Sequence, residues 1–351
     1  MSVQLTEPYF TQTQAWSDFF VDANTSDHGV FEIDVDGYKT YIYIYPWFLG
    51  QKFLYIPSGP ILKEYNQENI DKFASELKKF ALILKVTFIK FDLSPKMVEF
   101  LKENGSDDQI ASLKHTLSPH FNNILKSRKR LMYLSTILLD SKSLNISEDE
   151  ITTETLPLFY EQNSEFFGKI NSGHRAKTKK SLNQGWQITT DKTEDNFDYF
   201  WQIYQQTATR QSFFTHKRDY FYRLFQTDDS RLIILSKESG KPEAVWFGYS
   251  DKNSLIYLYG GNTSTSMNNF GQYYIHLAAL MMAKKENKEY YDLGGYDSKE
   301  GYGVFKERYK GQIIDFGGPY DLVLQNSKYQ ATEAAIKTIK TFKNIGKKRK
   351  T

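Results

Sequence analysis

Lys306 follows Phe305 within YDLGGYDSKEGYGVFKERYKG, a run over residues 291–311 rich in glycine, tyrosine and lysine. A lysine ammonium can stabilise a neighbouring negative charge if it is aimed at one. The same pair also reads as an amphipathic turn, with the phenylalanine in the core and the lysine in water. Asp92 closes a buried apolar run, VTFIKFD, ahead of Pro95. A carboxylate there can do acid-base work, or it can simply cap the next loop. Asp292 stands at the matching place in YYDLGG, where the two glycines that follow suggest a structural turn. Arg210 offers a planar fork suited to phosphates, with Phe214 four residues on. Tyr257 and Tyr259 lie two apart, hence on one face of a strand, as ligand contacts or as ordinary sheet residues. His174 and His216 receive no role. The chain has no cysteine, which removes disulfides, thiolate metal sites and a cysteine nucleophile together. With no His-Glu helix pair either, no metal site is expected.

The elements that must hold these groups are legible from periodicity. Alternating Phe31, Ile33, Val35 and Tyr41, Tyr43, Tyr45 flank Asp36-Gly37, a hairpin signal. A strand from Phe53 follows, ending in Ser58-Gly59-Pro60. Next come Ile70, Phe73, Leu77, Phe80 and Leu84 at helical spacing, and then the strand that reaches Asp92. Residues 231–238 and 243–250 flank a turn at Gly240, 254–261 form a strand ending in glycines, 269–286 a helix and 290–295 a closing strand. Gly37 and Gly240 differ by 203, Gly59 and Gly261 by 202, and Asp92 and Asp292 by 200, so one fold is expected twice. The length of 351 residues agrees with two domains. We expect an α/β (α+β) protein with mixed sheets flanked by helices, divided into 1–150 plus 318–351 and 151–317.

The order of hairpin, strand, glycine turn, helix and strand resembles the GNAT acyltransferase fold. An acyl-CoA enzyme of that kind carries a glycine-rich turn whose amides hold a pyrophosphate. Neither half has one: Pro60 lacks an amide proton, and TSTSMNNFGQ holds a single glycine. Another donor is therefore expected.

Six stretches in order resemble the FemABX family of aminoacyl-tRNA-dependent peptidoglycan ligases. They are Gln12 to Trp16; Tyr55-Ile56-Pro57-Ser58-Gly59-Pro60; the basic helix start Arg175–Lys180 running on to Gly185; Thr207 to Arg210; Tyr257, Tyr259 and Gly260; and Tyr291–Gly311. The resemblance implies transfer of an aminoacyl group from the 3′ end of tRNA to an amino group on the stem peptide of a peptidoglycan precursor, UDP-linked or lipid-linked. It implies Lys306 and Asp92 as catalytic groups, and Phe305, Lys306 and Arg308 as contacts for the tRNA end. Arg210, Tyr257, Tyr259 and Phe214 would contact the precursor, which would lie between the two domains. An ester is already activated, so aminolysis needs orientation and oxyanion stabilisation, with no cofactor. No lysine follows Trp16 where a phosphate-binding one is expected, so phosphate recognition either differs or uses Lys39 or Lys52. No long charged heptad insert follows Arg210, so no coiled-coil arm is expected, and the compact relatives imply a monomer.

Net charge is +3, but residues 328–351 carry eight basic groups against Glu333 alone. Lys337, Lys340, Lys343 and Lys347 recur on one side of a helix, with Ile336, Ile339 and Ile345 on another. This tail is expected to touch tRNA or an anionic membrane, or to pack as a solvated helix. A start without a basic, apolar leader and the lack of any long apolar run lead to the expectation of a cytoplasmic protein, membrane-peripheral through its tail at most, and the resemblance implies a bacterial one. Two alternatives stand beside this one: an N-acyltransferase with another donor, and a non-catalytic RNA- or membrane-surface protein on the same scaffold.

Overall fold

The computed structural model describes residues 8–24, 27–106, 108–127, 129–147 and 150–348, with side chains through residue 339. The strands in chain order are β1 (Gly29–Val35), β2 (Tyr38–Pro46), β3 (Lys52–Gly59), β4 (Phe88–Leu93), β5 (Ile124–Lys126), β6 (Ser135–Asp140), β7 (Gln187–Thr189), β8 (Ser230–Ser236), β9 (Pro242–Ser250), β10 (Ser254–Asn262), β11 (Tyr290–Gly295), β12 (Gln312–Asp315) and β13 (Gly317–Val323). The helices are α1 (Gln14–Ala23), α2 (Gln67–Ile83), α3 (Pro95–Glu103), α4 (Gln109–Leu117), α5 (Thr155–Gln162), α6 (Ser164–Lys169), α7 (Ser172–Ser181), α8 (Glu194–Gln211), α9 (Arg218–Gln226), α10 (Ser264–Asn268), α11 (Gly271–Lys285), α12 (Gly301–Glu307) and α13 (Asn326–Lys348).

Two units result. Among the described residues, those from 8 to 134 and from 316 to 348 carry a sheet of order β1-β2-β3-β4-β13-β5, and those from 135 to 315 carry one of order β12-β6-β11-β10-β9-β8-β7. The division falls at 134/135 and 315/316 rather than at 150/151 and 317/318. The reason is pairing: β6 forms antiparallel ladders with β11 and β12, so Ser135–Asp140 is a strand of the second sheet. In each unit an antiparallel hairpin leads to a strand, a helix and a parallel partner strand, with β3 beside β4 in one and β10 beside β11 in the other. This is the doubled GNAT-like order.

The first hairpin turns at Asp36 and Gly37, both at positive φ (52° and 85°), the geometry that a two-residue Asp-Gly turn supplies. Helix α2 starts at Asn66, whose side chain accepts from the Asn69 amide. It buries Ile70, Phe73 and Leu77 against Leu54, Ile56, Ile89 and Phe91 of the sheet. The expected apolar stripe does not stay buried to its end, because Phe80 and Leu84 are exposed. Helix α11 differs in kind. Nearly every residue from Tyr273 to Ala283 is buried, and the helix lies in a core with Trp246, Leu255, Tyr291 and Leu293. A helix apolar on all sides is one surrounded by protein. Between Arg210 and β8 the chain holds only α9, with no long arm.

Candidate active site

The second sheet opens where its parallel strands diverge. β10 and β11 pair only from Ser254–Ile256 to Tyr290–Asp292, although β10 continues to Asn262 and β11 to Gly295. A bulge in β10 between Tyr257 and Tyr259 starts the divergence. Its consequence is a correction: Tyr257 and Tyr259 do not share a face. Tyr257 is opposite Gly248 and stacks on Trp246, whereas Tyr259 is opposite Phe247, and consecutive residues of β9 point to opposite sides. The extra residue, Leu258, shifts the alternation by one.

Lys306, from α12, fills the opening. Its Nζ donates to the Gly295 carbonyl at 2.7 Å and lies 5.3 Å from the ring of Tyr257 and 5.4 Å from that of Tyr302. The side chain is buried, and burial lowers its pKa to about 8 even though Asp292 pulls the other way. The YDLGG turn makes this approach possible. Asp292 Oδ1 accepts from the Gly294 amide at 2.7 Å and from the Thr136 hydroxyl, which holds Gly294 at φ +69°. A Cβ on Gly294 would meet the Tyr257 carbonyl at 2.1 Å. Asp292 is thus the structural turn residue expected.

Phe305 and Lys306 are both drawn inward. The Phe305 ring packs among His174 (4.8 Å), Tyr273 (5.3 Å), His276 (5.5 Å) and Tyr309 (5.8 Å). The division into a buried ring and a solvated lysine therefore does not hold; Tyr302, Val304 and Glu307 are the exposed side chains of this helix, and Arg308 is exposed just beyond it. Trp246 Nε1 donates to the Tyr291 hydroxyl at 3.0 Å, and that hydroxyl is also hydrogen-bonded to His276 Nδ1, 2.5 Å away. Burial, reinforced by Lys306 and His174, pushes the His276 pKa down to about 3, so this imidazole is neutral. His174 is likewise buried, with a pKa near 3 and no hydrogen-bond partner on either ring nitrogen.

On the other face of the sheet, Tyr259 packs against Tyr204 of α8 and Phe221 of α9. Arg210 is exposed in the last turn of α8, which ends at Ser212 in the left-handed conformation. The loop beyond presents Phe214, 85% exposed, 5.7 Å from His216, which in turn stacks on Tyr220 at 4.0 Å. Thr207 anchors this corner by accepting from the Asn262 amide at 3.2 Å. The four residues expected to contact the precursor thus divide: Tyr257 belongs with Lys306, while Tyr259, Arg210 and Phe214 form an aromatic and cationic corner.

In the first unit, Asp92 is buried on the face of β4 opposite the α2 core. Tyr55 donates to its Oδ2 at 2.5 Å, and its Oδ1 is buried without a partner. Desolvation raises its pKa to about 7, opposed by the Tyr55 hydrogen bond and by Lys90, which pairs with Asp321 at 2.7 Å. Tyr55, the neighbour that bonds Asp92, was passed over in the sequence although it is the first residue of the YIPSGP stretch. Gln12 is structural. It donates to the carbonyls of Tyr41 (3.1 Å) and Pro57 (2.7 Å) and accepts from the Tyr41 amide, sewing the opening segment to β2 and β3. Lys39 is held by Glu32 at 2.7 Å, and Lys52 is exposed at the start of β3.

A pyrophosphate cradle is absent from the turn before α11. Its single glycine, Gly271, is packed: a Cβ there would meet Ser266 Oγ at 2.1 Å and the Trp186 ring at 3.2 Å.

Residues 169–311 match an acetyltransferase (GNAT) domain family. The chain is similar to the UDP-N-acetylmuramoylpentapeptide-lysine N(6)-alanyltransferase of Weissella viridescens, with 22% identity over 295 residues that cover 80% of this chain and 78% of that protein. Its fold is similar to that of FemX, with a TM-score of 0.67, 13% identity, and coverage of 92% of this chain and 94% of the other. It is also similar to L-PGS from Bacillus licheniformis, with a TM-score of 0.50, 14% identity, and coverage of 90% and 93%. A GNAT-like fold present twice and a likeness to an alanyltransferase along four-fifths of the sequence agree with the resemblance to the FemABX family that the six motifs carry.

Proposed function

We propose that this protein transfers an amino acid from aminoacyl-tRNA to the side-chain amino group of the stem peptide in a peptidoglycan precursor, building the interpeptide bridge. The observation that carries this reading is the opening between β10 and β11, filled by the Lys306 ammonium and the Tyr257 ring on a chain whose sequence follows an alanyltransferase. The packed turn at Gly271 argues against a CoA donor. In the transfer, the neutral acceptor amine attacks the ester carbonyl. The bond from that carbon to the ribose oxygen breaks, the amine loses a proton, and the ribose hydroxyl regains one. Lys306 supplies positive charge to the tRNA end or to the tetrahedral oxyanion. Asp92 takes the acceptor's proton or orients its ammonium, a role suited to a carboxyl whose pKa is about 7. Phe305 supports the site by packing, Arg308 meets the tRNA backbone, and Arg210 with Phe214 and Tyr259 holds the precursor's phosphates and sugar. The protein works on the cytoplasmic side, where its donor is made, and as a monomer.

The test is transfer of radiolabelled alanine from alanyl-tRNA, or another amino acid from its own tRNA, to the soluble UDP-linked precursor, with the stem peptide read by mass spectrometry. A mass increase of one residue on the lysine of the stem supports the reading. Transfer from acetyl-CoA, with none from any aminoacyl-tRNA, overturns it.

A further inference from the structure

One end of the first sheet gathers three connections. The loop between β2 and β3 closes with the Trp47 amide on the Gln51 carbonyl at 2.6 Å. Gln51 then links both neighbours, accepting from the Thr87 hydroxyl and donating to Thr332 of α13, each at 2.9 Å. Gln325, just before α13, donates to the carbonyls of Lys85 and Val86 at 3.0 Å. The β2–β3 loop, the turn after α2 and the start of α13 are therefore one surface.

That surface is unusual in composition. Leu49, Leu82 and Ile83 are 82%, 60% and 73% exposed, and Lys52, Lys85 and Lys328 are exposed around them. Residues 46–53, 77–87 and 322–332 contain no Asp, Glu or Arg. The nearest acid along α2, Glu76, is paired with Lys79 at 2.5 Å. Large aliphatic side chains in water on a surface whose exposed charges are lysines suit a partner that is both oily and anionic. RNA is a poorer fit, since RNA-facing grooves use arginine and exposed aromatic platforms. None of the described helices is long and apolar enough to cross a membrane.

We propose that this end of the first unit is a docking surface for an anionic bilayer, with Leu49, Leu82 and Ile83 entering the acyl boundary while Lys52, Lys85 and Lys328 remain at the level of the lipid phosphates. The lysine stems are long enough to leave their heads in the interface while the leucines are immersed. This surface goes beyond the transfer reading and does not depend on it.

Flotation of the full chain with phosphatidylcholine vesicles, with and without one-third phosphatidylglycerol, tests it without any substrate. The chain should float with the anionic vesicles at low salt. L49S with I83S should lower partitioning at least about tenfold, with unfolding temperature and transfer to soluble precursor unchanged. Each of K52Q, K85Q and K328Q should lower it about fivefold. The proposal is overturned if the native chain does not float at low salt, or if the double serine variant floats as well as the native chain. It is equally overturned if the lysine variants lose only tRNA binding, or if the serine variant instead breaks a dimer seen by sedimentation.

Discussion

Lys306→Met separates a lysine that acts on substrate from one that only holds the fold. Methionine keeps most of the buried stem and removes the charge. The structural loss is definable: the Gly295 carbonyl forfeits its 2.7 Å partner, and the contacts with Tyr257 and Tyr302 disappear. A fully buried carbonyl left unpaired costs about 1 to 3 kcal/mol of stability, and Gly295, which is half-buried, loses less because water can reach it. Part of that is offset, because the lysine's own desolvation, visible in its pKa of about 8, is relieved. The unfolding temperature should therefore move by a few degrees in either direction. Removing a preorganised charge from a tetrahedral intermediate costs more, about 2.7 to 4 kcal/mol in the barrier, or roughly a hundred- to a thousandfold in rate. Single-turnover transfer from aminoacyl-tRNA at saturating precursor, measured alongside the melting curve, distinguishes the two. Turnover within threefold of the native rate, on protein shown to be folded, would refute the catalytic assignment and leave Lys306 as a brace for the YDLGG turn.

In the pH profile of kcat/KM, the Asp92 carboxylate becomes available as pH rises through about 7, and the Lys306 ammonium is lost as pH rises through about 8, so a narrow bell is expected. Asp92→Asn should remove the rising limb. Its carboxyl pKa is raised by burial, so the fold binds that proton more tightly than the unfolded chain does. Stability from this group is thus present at low pH and lost as pH rises through 7, and D92N should gain on the order of 2 to 4 kcal/mol at pH 8, read by denaturant titration. Arg210→Ala should weaken precursor binding at least about tenfold and tRNA binding much less; equal losses by titration would move Arg210 off the phosphates. For the tail, K337Q, K340Q, K343Q and K347Q together should raise the apparent KM for tRNA or reduce vesicle flotation at low salt, and retention of both affinities would make α13 a solubilising end. Its helix is seen to Lys348, but the side chains of Lys340, Lys343, Ile345 and Lys347 lie outside the described residues.

The first hairpin and α2 were legible because their signals are local: Asp-Gly between alternating runs, and apolar spacing of three and four. The bulge at Tyr257 was not. A count of two along a strand predicts one face, and an inserted residue is visible only in the pairing with β9. The place of β6 was also hidden, because a short strand after a long loop has no local mark of which sheet will take it. The fate of Phe305 and Lys306 turned on His174, more than a hundred positions away, whose ring fills one side of the Phe305 pocket.

Asp92 and Asp292 show how one fold used twice can divide its labour. Both close the parallel strand that follows the helix, 200 residues apart. In the second unit the next residues are Leu293, Gly294 and Gly295, and glycine at φ +69° lets the chain curl back so that its own amide satisfies the carboxylate. Thr136 supplies a further donor, and Asp292 becomes a fixed anchor beside a buried ammonium. In the first unit Leu93, Ser94 and Pro95 follow instead, and Ser94 caps α3 by accepting from the Met97 amide. No backbone amide turns back, so Asp92 has Tyr55 on one oxygen and none on the other. A buried carboxylate with an unmet acceptor is costly to the fold, and its proton affinity rises accordingly. The same aspartate is therefore inert where glycines follow it and able to exchange a proton near neutral pH where a serine and a proline follow.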